Sequence, residues 1–546
     1  MLQNEEIRGQ DPYELAVYST WRLSYDKLDG PARSFLQVCS LLHHEGISED
    51  MFERAALSQL QLEDSELQDE VTKLLSQLGK QDSRWSSWAF RKVIMRLSSH
   101  SLIEYDHQNH TYSIHPLVHH WSGTIIGNRY DMQKLILAII GLSCSLTRAD
   151  EDMKYRRKLL KHTSNSIASI KPEDINPLVG MHIAQIYDEA GRFKETEALE
   201  VMVMEKRKRV LGDDHPDTLA SIMRLAKTYG YQGRWSEAEA LYLVVSEKRK
   251  SVLGDDHPDT LGSMGTLAMA YWSQGRWKEA EALLVVVMAK SKRFLGEDHP
   301  DTLVSMGNLG RIYWVQGRLK DSEALEVVVM ERTKQLLGDD HPDTLLAMGN
   351  LASTYSDQGR LGDAGALELL VLEKRKLLLG DDHPETLVAM GNLAVTHRKQ
   401  GYLKDAEALE VLVSEKRKQL LGDEHPFTLK AESNLAVTYG RQGRLQDAEV
   451  LQVAMMEKTR RVLGEDHIWT LGNMANLANT YRDQGRLDNA MTLQETVVDR
   501  RKQVLGDSHP DTLKSMEVLI AMYNDLGRMN DAEALEVALA EKRKQP

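Results

Sequence analysis

The nine residues LGDDHPDTL, beginning at Leu211, bring together the side chains of a catalytic loop. Asp213, Asp214 and Asp217 surround His215, and Gly212 and Pro216 shape the backbone. Carboxylates beside an imidazole suit acid–base transfer or the holding of a divalent metal. Either chemistry needs one constellation. The sequence holds eight, at His215, His257, His299, His341, His383, His425, His467 and His509, each 42 residues after the last. The copy at His467 reads LGEDHIWTL and has lost both the Pro and the acid that follows it. A structural joint tolerates that loss and a catalytic motif does not. The motif therefore reads as a joint, with no catalytic residue and no metal.

The joints need elements to connect. A second marker, the Gly of Gln-Gly-Arg-like turns, runs from Gly191 to Gly527 with the same 42-residue period. A fixed period of this length is the signature of a solenoid whose units stack on their neighbours. Within the unit that starts at His257, Pro258 and Asp259 suit a first helical turn. Leu261, Met264, Ala268 and Tyr271 then form one helical stripe. Gly275 breaks the helix, and a second helix follows from about Lys278 to the basic run before Leu295-Gly296.

Two-helix units carrying Leu267, Ala268, Tyr271, Gly275 and Ala280 at these places resemble the tetratricopeptide repeat. Their 42-residue length and the LG-acid-acid-HP-x-TL joint resemble the kinesin light chain subclass. The resemblance implies an all-α fold: a right-handed α-solenoid of about nine hairpins over residues 178–546, with a protein or peptide ligand in its concave groove. The first hairpin, around His182 to Leu211, lacks the His-Pro start and reads as an atypical cap.

Nine residues after each His, on the helix face opposite the apolar stripe, stand Arg224, Thr266, Asn308, Asn350, Asn392, Asn434, Asn476 and Val518. Asn is a mediocre helix former, so five in a row call for a reason. An amide that both donates and accepts can grip the backbone of an extended peptide. Nearby positions vary, among them Arg311, Lys399 and Arg441, and would read the peptide's side chains. In kinesin light chains, equivalent asparagines contact cargo peptides. Recent duplication that carried the Asn along is the competing explanation.

Residues 1–127 do not follow the repeat. Helices broken at Asp29-Gly30-Pro31 and at Gly46 precede a helix ending near Ser99. Two strands, Ser101–Tyr105 and Thr111–His115, and a helix after Pro116 complete a helical domain of winged-helix type. The strings LSYDKLDGPARSFLQVCSLL and YSIHPLVHHW resemble the winged-helix end of NB-ARC nucleotide-binding receptors. The resemblance makes His115 a relic candidate for nucleotide contact, with Ile114 and Pro116 where the family motif has Met and Asp. No G-x-x-x-x-G-K-[ST] occurs, and Leu78-Gly79-Lys80-Gln81 lacks the upstream Gly and the Ser/Thr, so no cofactor is expected. Arg91, Lys92 and Arg96 do not make a basic recognition helix. His107, His110, His115, His119 and His120 match no zinc spacing. Residues 128–177 read as connecting helices.

A net charge of −14 gives no bulk reason for nucleic-acid binding. Only two cysteines occur, Cys39 and Cys144, which excludes a disulfide framework and suits a reducing compartment. The first residues show no apolar leader run, and the apolar stretch Leu135–Leu146 is too short to span a bilayer. The expectation is a cytoplasmic, non-enzymatic interaction scaffold that binds neither membrane nor nucleic acid. It would be the ligand-sensing arm of an NB-ARC-type receptor, partnered by an NTPase domain. The alternatives are a cargo adaptor bound to a motor chain, although no heptads precede the repeats, and a fragment of an ADP/ATP-dependent switch.

Overall fold

Helix starts follow from capping side chains. In the computed structural model, which describes residues 12–146, 150–168 and 170–544, Asp29, Asp64, Ser86, Asn128 and Asn176 each accept a backbone N–H from the first turn of the helix they precede. The first eleven residues, read above as lacking a leader, lie outside the described residues.

The N-terminal helices are α1 (Pro12–Asp26), α2 (Gly30–Cys39), α3 (Glu49–Leu57) and α4 (Ser65–Leu78). Hairpin β1 (Lys80–Gln81) and β2 (Arg84–Trp85) follows, then α5 (Ser87–Ser98) and hairpin β3 (Glu104–Asp106) and β4 (Thr111–Ser113). Next come α6 (Pro116–Thr124), α7 (Arg129–Ser143) and α8 (Asp150–Ile167). The string Leu78-Gly79-Lys80-Gln81 ends α4 and begins the β1–β2 hairpin. Sequence periodicity gave no hint of that hairpin, because two-residue strands carry no alternation. The β3–β4 strands are shorter than expected, and Ile47 adds a bridge to Tyr112.

Nine antiparallel hairpins of two helices follow among the described residues. Their first helices are α9 (Pro177–Glu189), α11 (Pro216–Tyr231), α13 (Pro258–Ser273), α15 (Pro300–Val315), α17 (Pro342–Asp357), α19 (Pro384–Gln400), α21 (Pro426–Arg441), α23 (Ile468–Asp483) and α25 (Pro510–Asp525). Their second helices are α10 (Phe193–Leu211), α12 (Trp235–Leu253), α14 (Trp277–Phe294), α16 (Leu319–Leu337), α18 (Leu361–Leu379), α20 (Leu403–Leu421), α22 (Leu445–Leu463), α24 (Leu487–Leu505) and α26 (Met529–Lys544). The fold is all-α, a solenoid behind an N-terminal helical domain.

By their contacts the residues form two compact units, Met1–Ser221 and Ile222–Pro546. In the first, one hydrophobic core runs from Leu28 to Val203, so the apolar helix α7 and hairpin α9–α10 share it with α2–α5. Phe35, Phe52 and Phe90 meet ring to ring at its centre. In the second, the cores are small and repeat along the stack, as nearest-neighbour packing requires.

Candidate functional site

The polar residues of the recurrent joint have structural tasks at most of its copies. The Gly that ends the second helix takes positive φ at each copy, 92° at Gly212, which suits a residue without Cβ. The His is the N-cap of the next helix. At His341, Nδ1 accepts the N–H of Asp343 at 3.2 Å, and the same bond recurs from His215 to His509. At four copies the Thr of the motif, at Thr302, Thr344, Thr386 and Thr470, donates back to the carbonyl of the joint Gly, as Thr344 does to Gly338 at 2.9 Å. The acids pair with cations of the next hairpin: Asp256 with Lys290, Glu297 and Asp298 with Arg332, Glu465 and Asp466 with Arg500. Among the described residues, no group of three or more His, Cys, Asp or Glu stands close enough together to hold a metal. His115 does in α6 what the repeat histidines do, accepting the N–H of Leu117 at 3.3 Å.

The Gln-Gly-Arg turn is a second clamp. Gln358 and Arg360 both reach Glu323 of the preceding hairpin, at 2.8 Å each, and the Arg360 guanidinium stacks 3.8 Å from the Tyr355 ring centre. The same set occurs around Glu239, Glu281, Glu407 and Glu449. It fails twice among the described residues: where Gly365, His397 and Tyr402 occupy the places of the Glu, Tyr and Arg, and at the last turn, where Met491 and Leu526 replace the Glu and Gln and Arg528 reaches the Met491 sulfur.

Successive first helices touch one another more closely than successive second helices do, so first helices line the inside of the curve. On that inner side the five asparagines divide. Among the described residues, the amides of Asn308, Asn350, Asn392 and Asn434 have no hydrogen-bond partner, whereas Asn476 donates to Ser433 at 3.4 Å. Asn350 and Asn392 line the same small cleft. One helical turn before three of the open amides stand apolar residues left in solvent: Val304 (59% exposed), Leu346 (55%) and Val388 (41%). The cations flanking the ladder differ as well. Arg311 is half-buried, stacked 4.9 Å from the Trp272 ring centre. Lys399 is held by Asp357 at 2.6 Å. Arg441 is exposed and makes no ion pair among the described residues.

Sequence reasoning missed a row of buried acids on the second helices: Glu326, Glu368 and Glu410, continued by Gln452 and Gln494, all at most 4% exposed. The sign of it was a charged residue recurring every 42 positions on an otherwise buried face. Burial raises all three carboxyls, Glu368 to about 7. Glu326 accepts from Thr354 at 2.6 Å, and Glu410 pairs with Arg398 at 2.9 Å.

Hairpins stacked in register, clamped by recurrent joints and lined on the inside by first helices, define an α-solenoid of the interaction-scaffold class. The chain belongs to the tetratricopeptide-repeat family, whose pattern matches residues 181–217, 218–259, 260–301, 302–343, 344–385, 386–427, 428–468 and 470–511, more than half of its length. Residues 23–124 match a second family, described as a domain of unknown function (DUF7779). Among solved structures, the chain is similar to the nearly identical TPR-like repeats of a Podosopora anserina protein described as a kinesin light chain. That match has 29% identity and a TM-score of 0.33, over 38% of this chain and 97% of the other. It is also similar to a signal-transduction ATPase (STAND) with a tetratricopeptide-repeat sensor from Pyrococcus horikoshii, with 14% identity and a TM-score of 0.39, over 88% of this chain and 66% of the other. No curated protein matches the chain.

Proposed function

We propose that the hairpins from α15 to α22 bind an extended peptide, and that this capture is the molecular function of a cytoplasmic scaffold. The observation that carries the reading is the pairing, repeat after repeat, of an open Asn amide with an exposed apolar residue. Asn308, Asn350 and Asn392 offer donors and acceptors to a peptide backbone. Val304, Leu346 and Val388 offer apolar surface to its side chains, and contiguous exposed apolar residues mark interaction sites. Peptides selected from a random display library on the full chain should lose about tenfold or more in affinity when Asn350, Asn392 and Asn434 are all replaced by Ala. Unchanged affinity would sink the reading.

We further infer that the N-terminal domain is the winged-helix end of an NB-ARC-type assembly, which makes the solenoid its sensing arm. The order of α2, the Ile47 bridge, α3, α5 and the β3–β4 hairpin supports it, as do the two sequence strings. With no phosphate loop in the sequence, nucleotide contact would fall to a partner NTPase domain. Thermal stabilisation of the full chain by ADP would overturn that assignment.

A further inference from the structure

The acids buried along the second helices are not equivalent. Glu326 faces the charge of Arg311, and Glu410 holds Arg398 at 2.9 Å, each cation coming from the first helix of the same hairpin. In the hairpin of Glu368 those two places are taken by Ser353 and Ser356. The cations that remain nearby make their ion pairs elsewhere, although the charge of Lys399 still acts on Glu368. Lys399 holds Asp357 at 2.6 Å and Ser356 at 3.1 Å, while Arg375 holds Glu385 at 3.1 Å. The Thr396 hydroxyl donates to the Glu368 carboxylate. Among the described residues its second oxygen, Oε2, has no hydrogen-bond partner, although the residue is only 4% exposed; Glu410 Oε2 is bare as well, but that carboxylate holds Arg398. A buried carboxylate oxygen left bare is costly and calls for an explanation.

A cleft of about 90 Å³ opens beside it, lined by Leu346, Asn350, Ser353, Glu368, Val388 and Asn392, with the Arg375–Glu385 ion pair also in its wall. We infer that this cleft is a recognition pocket for one lysine side chain of the bound peptide, with Glu368 as its counter-charge. The inference rests on the peptide-binding reading and adds its side-chain specificity. The lining matches the parts of a lysine. Leu346 and Val388 can cover the methylenes, as apolar surface does for snorkelling cations. An ammonium carries three donors, and Glu368 Oε2 with the amide and hydroxyl oxygens of Asn350, Asn392 and Ser353 supplies acceptors. The volume holds an ammonium and its last methylenes, and one open carboxylate oxygen suits the point charge of an ammonium better than the bidentate fork of a guanidinium. Burial leaves the carboxyl titrating near neutral pH, so an arriving cation would draw it to the ionised form.

The test uses the full chain and peptides selected on it from a random display library. Three proteins are compared: wild type, Glu368→Gln and the triple Asn variant. Glu368→Gln is a safe substitution, because Gln452 and Gln494 occupy the same register. Peptides selected on wild type should share one lysine. Replacing that lysine by norleucine, or Glu368 by Gln, should each weaken binding by ~10- to 100-fold, and the two together should cost little more than either alone. Peptides that depend on the asparagines but show no preferred lysine, or prefer arginine, or bind Glu368→Gln equally well, overturn the pocket and leave the groove standing. If no peptide binds, or binding ignores the asparagines, groove and pocket fall together.

Discussion

At the scale of single residues, protonation separates structural from recognition roles. His467 accepts the N–H of Trp469 at Nδ1, so its proton sits on Nε2, which donates to the carbonyl of Tyr231 at 3.2 Å. Burial holds this imidazole below its ordinary pKa, in keeping with a neutral cap. Glu368 is the converse, an acid raised by burial from 4.5 to about 7. The folded state binds its proton more tightly than the unfolded state does. The stability tied to that proton is fully present below about pH 4.5 and is lost as pH rises through about 7. Glu368→Gln should therefore leave the melting temperature near that of wild type at about pH 5 and raise it at about pH 8.5. The gain at the higher pH is on the order of 3 kcal/mol as an upper bound. Melting curves across this range decide it, and a variant offset from wild type by the same amount at every pH would refute the assignment.

Between elements, the joints carry the stability of the stack. Five turns share the Gln–Glu clamp onto the preceding hairpin, and each of the five also places an Arg across that Glu and onto a Tyr ring in the pattern of Arg360. Between α18 and α19–α20 the clamp is reduced to Gln400 donating to the carbonyl of Leu361 at 2.8 Å. Gly365 and Tyr402 have lost the charged pair together, which weakens one joint beside the Glu368 cleft. Restoring it with Gly365→Glu and Tyr402→Arg should stabilise the chain by about 1–2 kcal/mol. The sum is ~1 kcal/mol for removing a helical Gly and up to ~1 for a half-exposed ion pair. Urea titration checks the magnitude. A double variant no more stable than Gly365→Ala would show that the ion pair contributes nothing at this joint. Element boundaries were legible in the sequence because caps and breakers are local: His-Pro starts and Leu-Gly stops sit at the observed helix ends. The β1–β2 hairpin was not legible, since its strands are too short to show a period.

At the scale of the whole second unit, the stack coils until it meets itself. The joint at His467 lies against the turn at Gly233, and that at His509-Pro510 against the turn at Gly275, six hairpins earlier in each case. A Cβ on Gly275 would lie 2.6 Å from Pro510 Cδ, while one on Gly317, with φ of 75° against 74°, would meet nothing within 4 Å. Both glycines pay the same left-handed cost when replaced by Ala, roughly 1–2 kcal/mol. Gly275→Ala should lose more stability than Gly317→Ala, and only Gly275→Ala should expand the particle in small-angle scattering. Equal melting temperatures and equal radii would mean that the two turns do not touch in solution. The 42-residue period announced a solenoid, but nothing in one repeat states how many repeats complete a turn, because small rotations at each joint add along the chain.

The sequence alone decides whatever closes within one repeat. It set the helix pairs and their ends, the His-Pro joint as structure rather than chemistry, and the register that puts an asparagine on the same face of five successive helices. These depend on residues a few positions apart, whose geometry a helix imposes. The tertiary structure alone decided which side chains remain available. It turned Arg311 onto Trp272, tied Lys399 to Asp357, and left Asn350 and Asn392 open over the bare oxygen of Glu368. Those outcomes join residues about one repeat apart, or 236 residues apart where turn meets turn. They follow from the rise and twist between hairpins, which a single repeat does not encode.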